Sequence, residues 1–146
     1  MALVFGQSVF VTSYTDNKVV RMNWPRCDRV TQSVYVHRPR GIAMHDGTLV
    51  VACYGNPMGT IVVLDPFTLT LLSRFETARP RGIAVWNDLL VITQVNTGRL
   101  VLVDKSGRVH KVLSGFRKPR DVCVHDDVAF VASTDSKCVV SVHLSL

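Results

Sequence analysis

The chain has 146 residues, 47% of them hydrophobic and 19% charged, and a formal net charge of +6. The length suits one domain, and no segment approaches the roughly 18 consecutive apolar residues that a membrane-spanning helix requires. The positive balance bears on solubility and on attraction to acidic partners, and by itself says nothing about the fold.

Short apolar runs alternate with turn signals from the first residue onward. "MALVF" leads into the turn "FGQ" at 5–7, the run "VFVTS" at 9–13, the polar loop "TDNK" at 15–18, and "VVRM" at 19–22 before Asn23. A less apolar run, "VTQSVYV", covers 30–36, and then "RPRGIA" opens a second unit at 38–43. That unit repeats the layout with "HDG" at 45–47, "LVVAC" at 49–53, "GNPMG" at 55–59, "IVVL" at 61–64 before Asp65, and "LTLLSRF" at 69–75. "RPRGIA" returns at 79–84, followed by "WND", "LVITQ", "NTGR" at 96–99, "LVLV" before Asp104, and "RVHKVLS" at 108–114. The last unit opens with "RKPRDVCV" at 117–124 and runs through "HDD", "AFVAS", "TDSK" at 134–137 and "VVSV" before His143.

Units therefore start near Met1, Gly41, Gly82 and Asp121, about 40 residues apart, and recurrence at such a period marks a repeat architecture. The expected repeats are 1–40, 41–81, 82–120 and 121–146, in one domain over 1–146 with no linker. Short runs rich in Val, Ile, Thr and aromatics, bounded by Gly, Asn, Asp and Pro, read as strands, and none has helical spacing. Four antiparallel strands per unit at this period form a β-propeller blade. The expected fold is all-β, with 15 strands in about four blades, the last one short.

"RPRGIAVWNDLLVITQVNTGRLVLVDKSGRVHKVL" resembles an NHL-type propeller repeat. It carries that family's Pro-x-Gly-Ile-Ala-Val opening, Asn-x-x-Arg at 96–99 and Asp-x-x-Gly at 104–107. The likeness is tight in units two and three and looser in one and four. The Gly-His and Trp-Asp landmarks of WD-type repeats are missing; Trp86-Asn87 sits in a different turn.

Particular residues fit this reading. Pro39, Pro80 and Pro119 precede first strands, where a residue without an N–H belongs. Gly41 and Gly82 let the backbone approach a neighbour at the crowded axis, and Asp121 replaces them in unit four. The runs at 49–52, 90–93 and 100–103 are nearly continuously apolar, as expected for sheets buried on both faces. Rings of the NHL type have about six blades, and closed propellers use about 4–8. This chain thus closes as a small ring, belongs to a longer chain, or forms an open arc whose end faces bury against another copy or another protein. The expected state is the arc completed by a partner.

Loops joining a fourth strand to the next first strand share one face with the loops between strands two and three. They hold Arg38, Arg40, Arg79, Arg81, Arg117, Lys118 and Arg120, with Lys18, Arg99 and Lys137. The opposite face holds Asp46, Asp65, Asp88, Asp104, Asp126 and Asp127, with Lys105 and Arg26 as exceptions. A basic rim over an acidic one implies an anion-binding surface for an acidic protein, or for RNA, which some NHL-type domains bind on that face. Tyr14, Tyr54 and Phe116 are the candidate base-stacking residues. The competing expectation for Arg40 and Arg81 is structural pairing with carboxylates of neighbouring blades.

Catalytic signals are sparse. Cys27, Cys53, Cys123 and Cys138 lack metal-ligand spacing, and the last three fall in strands, where a free cysteine behaves as a small buried hydrophobe. His45 and His125 share a turn position with Phe5 and Trp86, which reads as packing. Six-bladed relatives of the resembled family include metal-dependent lactonases, yet Asp16, Glu76 and Asp135 are the only acids in the basic-rim loops. The expectation is a non-catalytic interaction or scaffold module without cofactor or metal, with an RNA-binding module and a lactonase-type hydrolase as alternatives. "MALVFGQSVFV" lacks a basic leader and aligns with the repeats, so it reads as folded structure in a cytoplasmic chain, without membrane contact.

Overall fold

A computed structural model describes residues 1–146, and they form fifteen strands and no helix. The first sheet holds β1 (Ala2–Phe5), β2 (Ser8–Ser13), β3 (Lys18–Asn23) and β4 (Val30–Tyr35). The second holds β5 (Pro39–His45), β6 (Thr48–Cys53), β7 (Met58–Leu64) and β8 (Leu71–Ala78). The third holds β9 (Pro80–Trp86), β10 (Leu89–Gln94), β11 (Arg99–Val103) and β12 (Val109–Ser114). The fourth has three strands, β13 (Pro119–His125), β14 (Val128–Ser133) and β15 (Cys138–His143). Every sheet is an antiparallel meander in chain order, and no strand crosses between sheets.

Tight turns set the meander. Asp46, Asn87 and Asp126 have φ near +50° (49°, 52° and 52°), and Gly6 stands at the same point at 60°. Two-residue hairpin turns need this left-handed backbone, which Asn, Asp and Gly tolerate. Arg38, Arg79 and Lys118 also have positive φ, 47°, 37° and 48°, just before the prolines that open β5, β9 and β13. Their carbonyls accept N–H bonds from Tyr54, Val95 and Thr134, which fasten each inner strand to the loop after the second strand.

The sheets stack face to face, and β1, β5, β9 and β13 lie side by side as the inner strands. We call the side of each blade that faces the next one its leading face, and the opposite side its trailing face. Phe10 and Val19 of blade 1 meet Ile42, Leu49, Val51 and Leu64 of blade 2. Val50, Ala52, Ile61 and Val63 of blade 2 meet Ile83, Leu90, Ile92, Val101 and Val103 of blade 3. Val91, Leu100 and Leu102 of blade 3 meet Val122, Ala129 and Val131 of blade 4. Alternate residues of one strand thus serve two interfaces, which is why Leu49 to Ala52 and Leu90 to Ile92 are all fully buried. Each such valine or leucine contributes about 1.5–3 kcal/mol on removal from water.

The stack does not close. No apolar cluster joins blade 4 to blade 1, so the molecule is an open arc of four blades. This corrects one expectation for the cysteines. Cys53 is buried between blades, and burial pushes its thiol up to about 12. Cys123 and Cys138 are in strands yet exposed: no sheet of this chain packs on the face of blade 4 that carries Cys123, and Cys138 opens its strand at the exposed position of Lys18 and Arg99.

Candidate functional site

The repeated Pro-Arg dipeptide places Arg40, Arg81 and Arg120 on successive inner strands β5, β9 and β13. All three are half-buried, and they lie near the axis at the end of the arc where the strand-four loops gather. Arg40 and Arg81 share a concavity of about 290 Å³ with Met1, Thr12, Tyr14, Pro39 and Asp121. The Arg40 guanidinium sits 3.7 Å above the centre of the Tyr14 ring, and that of Arg38 lies 6.0 Å from it. Arg120 reaches only a hydroxyl, donating from Nε to Thr134 Oγ1 at 3.3 Å.

The expected carboxylate pairing of Arg40 and Arg81 does not occur. The ion pairs of the structure join Lys105 to Asp46, His110 to Asp104, Lys118 to Asp135 and His125 to Asp126. At the other end of the strands, Asp65 and Asp104 bind backbone N–H groups of their own turns. Arg40 Nε and Arg81 Nε are buried without a hydrogen-bond partner. Burial, with the charges of Arg40 and Arg120 beside it, pushes the Arg81 guanidinium below its usual range, and Asp121 opposes this only in part. The result is a cluster of three like charges with one carboxylate, Asp121, near it and in salt bridge with none of them.

The remaining rim cations are spread around this cluster. Lys18, Arg38, Arg99, Arg117 and Lys137 are exposed. Arg79 donates from Nη2 to Asn56 Oδ1, and Lys118 lies 3.6 Å from Asp135. Tyr14 is covered by Arg40 and is not a free platform for a base. Asp16, Glu76 and Asp135 belong to three different blades; Asp16 accepts the Ser13 hydroxyl at 2.8 Å, and no three His, Cys, Asp or Glu side chains converge. A larger cleft of about 520 Å³ opens between the outer strands of blades 1 and 2, lined by Val34, Val36, Val62, Leu64, Leu71 and Arg74 among others. It is a splay between two sheets and holds no carboxylate.

Links between blades form a second set of functional positions, at a site the repeats had marked only as packing. His45 donates from Nε2 to the carbonyl of Asp88 at 2.9 Å, crossing from blade 2 to blade 3. Trp86 donates from Nε1 to Asp127 Oδ1 at 2.8 Å, crossing from blade 3 to blade 4. Ring N–H donors at one turn position in successive repeats were the available signal. Nearer the axis, Thr12 and Thr93 donate to the carbonyls of Arg40 and Arg120 on the following blades.

This arrangement of four-stranded sheets around an axis is shared by solved structures. The β-propeller domain of Cps50 (Swd1) from Myceliophteria thermophila superposes with a TM-score of 0.72 at 9% identity, over 95% of this chain and 51% of that one. The fold is that of a β-propeller. A chain of a nidogen/laminin complex superposes with a TM-score of 0.78 at 18% identity, over 94% of this chain and 56% of that one. The computationally designed Ika4 protein gives 0.75 at 12% identity, over 99% of this chain and 89% of that one. The chain spans about half the length of the first two propellers. No family model and no curated protein matches the sequence.

Proposed function

We propose that this propeller arc is a non-catalytic interaction module that binds other proteins through the faces of its end blades. One observation carries the reading: positions that blades 2 and 3 bury on both sides are uncovered on the leading face of blade 4 and in part on the trailing face of blade 1. Phe130 is 38% exposed and Val139 69%, where their equivalents in blades 2 and 3 are fully buried; on blade 1 Val11 is half-exposed while Val9 is buried, and exposed apolar surface of this kind marks interaction sites. The neighbouring propeller in a nidogen/laminin complex supports the idea that such a fold serves protein binding, while the fold alone does not decide against catalysis.

Native mass and binding of an apolar dye test this together. The chain should either associate or bind the dye, and the pair Val11→Glu with Val139→Glu should abolish both while leaving the strand signal intact. A folded wild-type monomer that takes up no dye would refute the reading.

A second surface serves the same function. The three axial arginines outnumber the one carboxylate beside them, Asp121, and the buried Nε groups of Arg40 and Arg81 lack partners, which favours an acidic segment of a partner as the group that settles there. Covered Tyr14 weighs this toward an acidic protein over RNA.

A further inference from the structure

We propose that the partner at the end faces is a second copy of this chain, the leading face of blade 4 in each copy seating on the trailing face of blade 1 in the other. This rests on the interaction-module reading and names its partner.

The strand register shows that both open faces are built as interface faces. On the trailing side, Val51 pairs with Ile42 and Val62, and Leu49 with Leu64. Val11 pairs likewise with Ala2 and Val20, and Val9 with Met22. The blade 2 residues pack against blade 1; their counterparts in blade 1 are also apolar and face no sheet, Val9 alone among them being buried. On the leading side, Val91 pairs with Ala84 and Leu102, and Thr93 with Leu100. Phe130 pairs likewise with Cys123 and Ser141, and Ala132 with Val139. No charged residue stands at any of these positions on either open face. Two faces that repeat, position for position, the two sides of an interface already formed three times in the chain are complementary by construction.

The polar links extend the same pattern. His125 occupies the turn position of His45 and Trp86, yet its side chain is 85% exposed and meets only Asp126, at 3.6 Å. Asp88 and Asp127, which receive the links from His45 and Trp86, correspond in blade 1 to Gln7, which is exposed. A second copy brings His125 to Gln7 and extends the series by one step. Because the contact joins unlike faces, it must either close or run on. Two chains, each about half the length of the matched nidogen/laminin and Cps50 (Swd1) chains, supply one ring, and a two-fold pair with two identical seams closes it.

Light scattering on the purified chain tests the proposal, with twice 16.2 kDa expected. Val11→Glu alone and Val139→Lys alone should each give monomers. An equimolar mixture of the two should recover the doubled mass, since one seam then has native faces on both sides and the other sets a carboxylate against an ammonium. Cys123 alkylation gives an independent readout. It should be at least tenfold slower than that of Cys27 in the wild-type chain, and should become fast in Val11→Glu, whose substitution is on the far end blade. A wild-type monomer that still binds apolar dye would overturn the pairing and spare the broader reading. So would an assembly that keeps growing with concentration, a Val139→Lys chain that keeps the doubled mass, or Cys123 reacting as fast as Cys27. If Val11→Glu fails to fold, the mass of Val139→Lys and the wild-type labelling ratio still decide.

Discussion

Gly41 and Gly82 stand where each inner strand passes closest to the next. A Cβ on Gly82 would lie 2.4 Å from the carbonyl oxygen of Arg120, and one on Gly41 2.7 Å from that of Arg81. Backbone cannot yield as a flexible side chain does, so Gly82→Ala must push blade 4 away from blade 3. The expected cost is about 1–3 kcal/mol, seen as a lower urea midpoint with unchanged slope. Asp121 carries a Cβ at this position, and no further inner strand of this chain packs against it. Asp121→Ala should stay within about 0.5 kcal/mol of wild type in the same titration. A loss at Asp121 equal to that at Gly82 would contradict the close-approach explanation.

Within an element, the same axis crowding distorts the ladder. Pairing of β9 with β10 slips between Ile92 and Gln94. There the Gly82 N–H donates to Thr93 Oγ1 at 2.8 Å instead of to a carbonyl, and the Thr93 hydroxyl donates onward to Arg120 O. One hydroxyl thus repairs a bulge and ties two blades. Thr93 is fully buried, so Thr93→Val keeps the shape and strands the Gly82 N–H without water. That should cost about 1–3 kcal/mol, and native-state hydrogen exchange should show the Gly82 amide opening at least tenfold faster. An unchanged Gly82 exchange rate would remove the hydroxyl from this role. Blade 2 has Ala52 at the equivalent position and has no such link to blade 3; His45 supplies the polar crossing at the opposite end of the strand.

For the whole molecule, the consequence of repetition is charge accumulation. Blades 2, 3 and 4 each contribute one Pro-Arg to the same end of the axis, and Asp121 is the one acid that lines the concavity shared by Arg40 and Arg81. Arg81 carries the penalty, held down first by burial and then by Arg40 and Arg120. An oxyanion should relieve it. Inorganic phosphate should raise the melting temperature of the chain more than chloride at equal ionic strength, and Arg81→Gln should remove at least half of that excess. Equal effects of the two salts would reduce the cluster to a screened surface charge. The contrast also separates the axial arginines from Lys18, Arg99 and Lys137, whose exposed charges respond to ionic strength alone.

The amino-acid sequence by itself determined the blade. Turn residues at fixed offsets, β-branched runs between them and the doubled "RPRGIA" specify strands, their order and their antiparallel pairing, because these depend on local backbone preference and on period. It also determined that blades 2 and 3 are buried on both sides, since Leu49–Cys53 and Leu89–Ile92 of their second strands are apolar at every residue. It placed the basic residues at one end without showing their surroundings. Tertiary structure alone decided where individual side chains go across a sheet. Cys123 and Cys53 have similar strand contexts, yet one is exposed and the other sealed, because only Cys53 has a sheet on each side. Arg40 lies on Tyr14 and forms no salt bridge, since the stacking of blade 2 on blade 1 brings the ring under its guanidinium. His45 and Trp86 read as packing until the next blade brought an acceptor within 3 Å. A strand's partners along the chain are written in its period, but what its face meets depends on the angle at which the next sheet stacks, which no single repeat encodes.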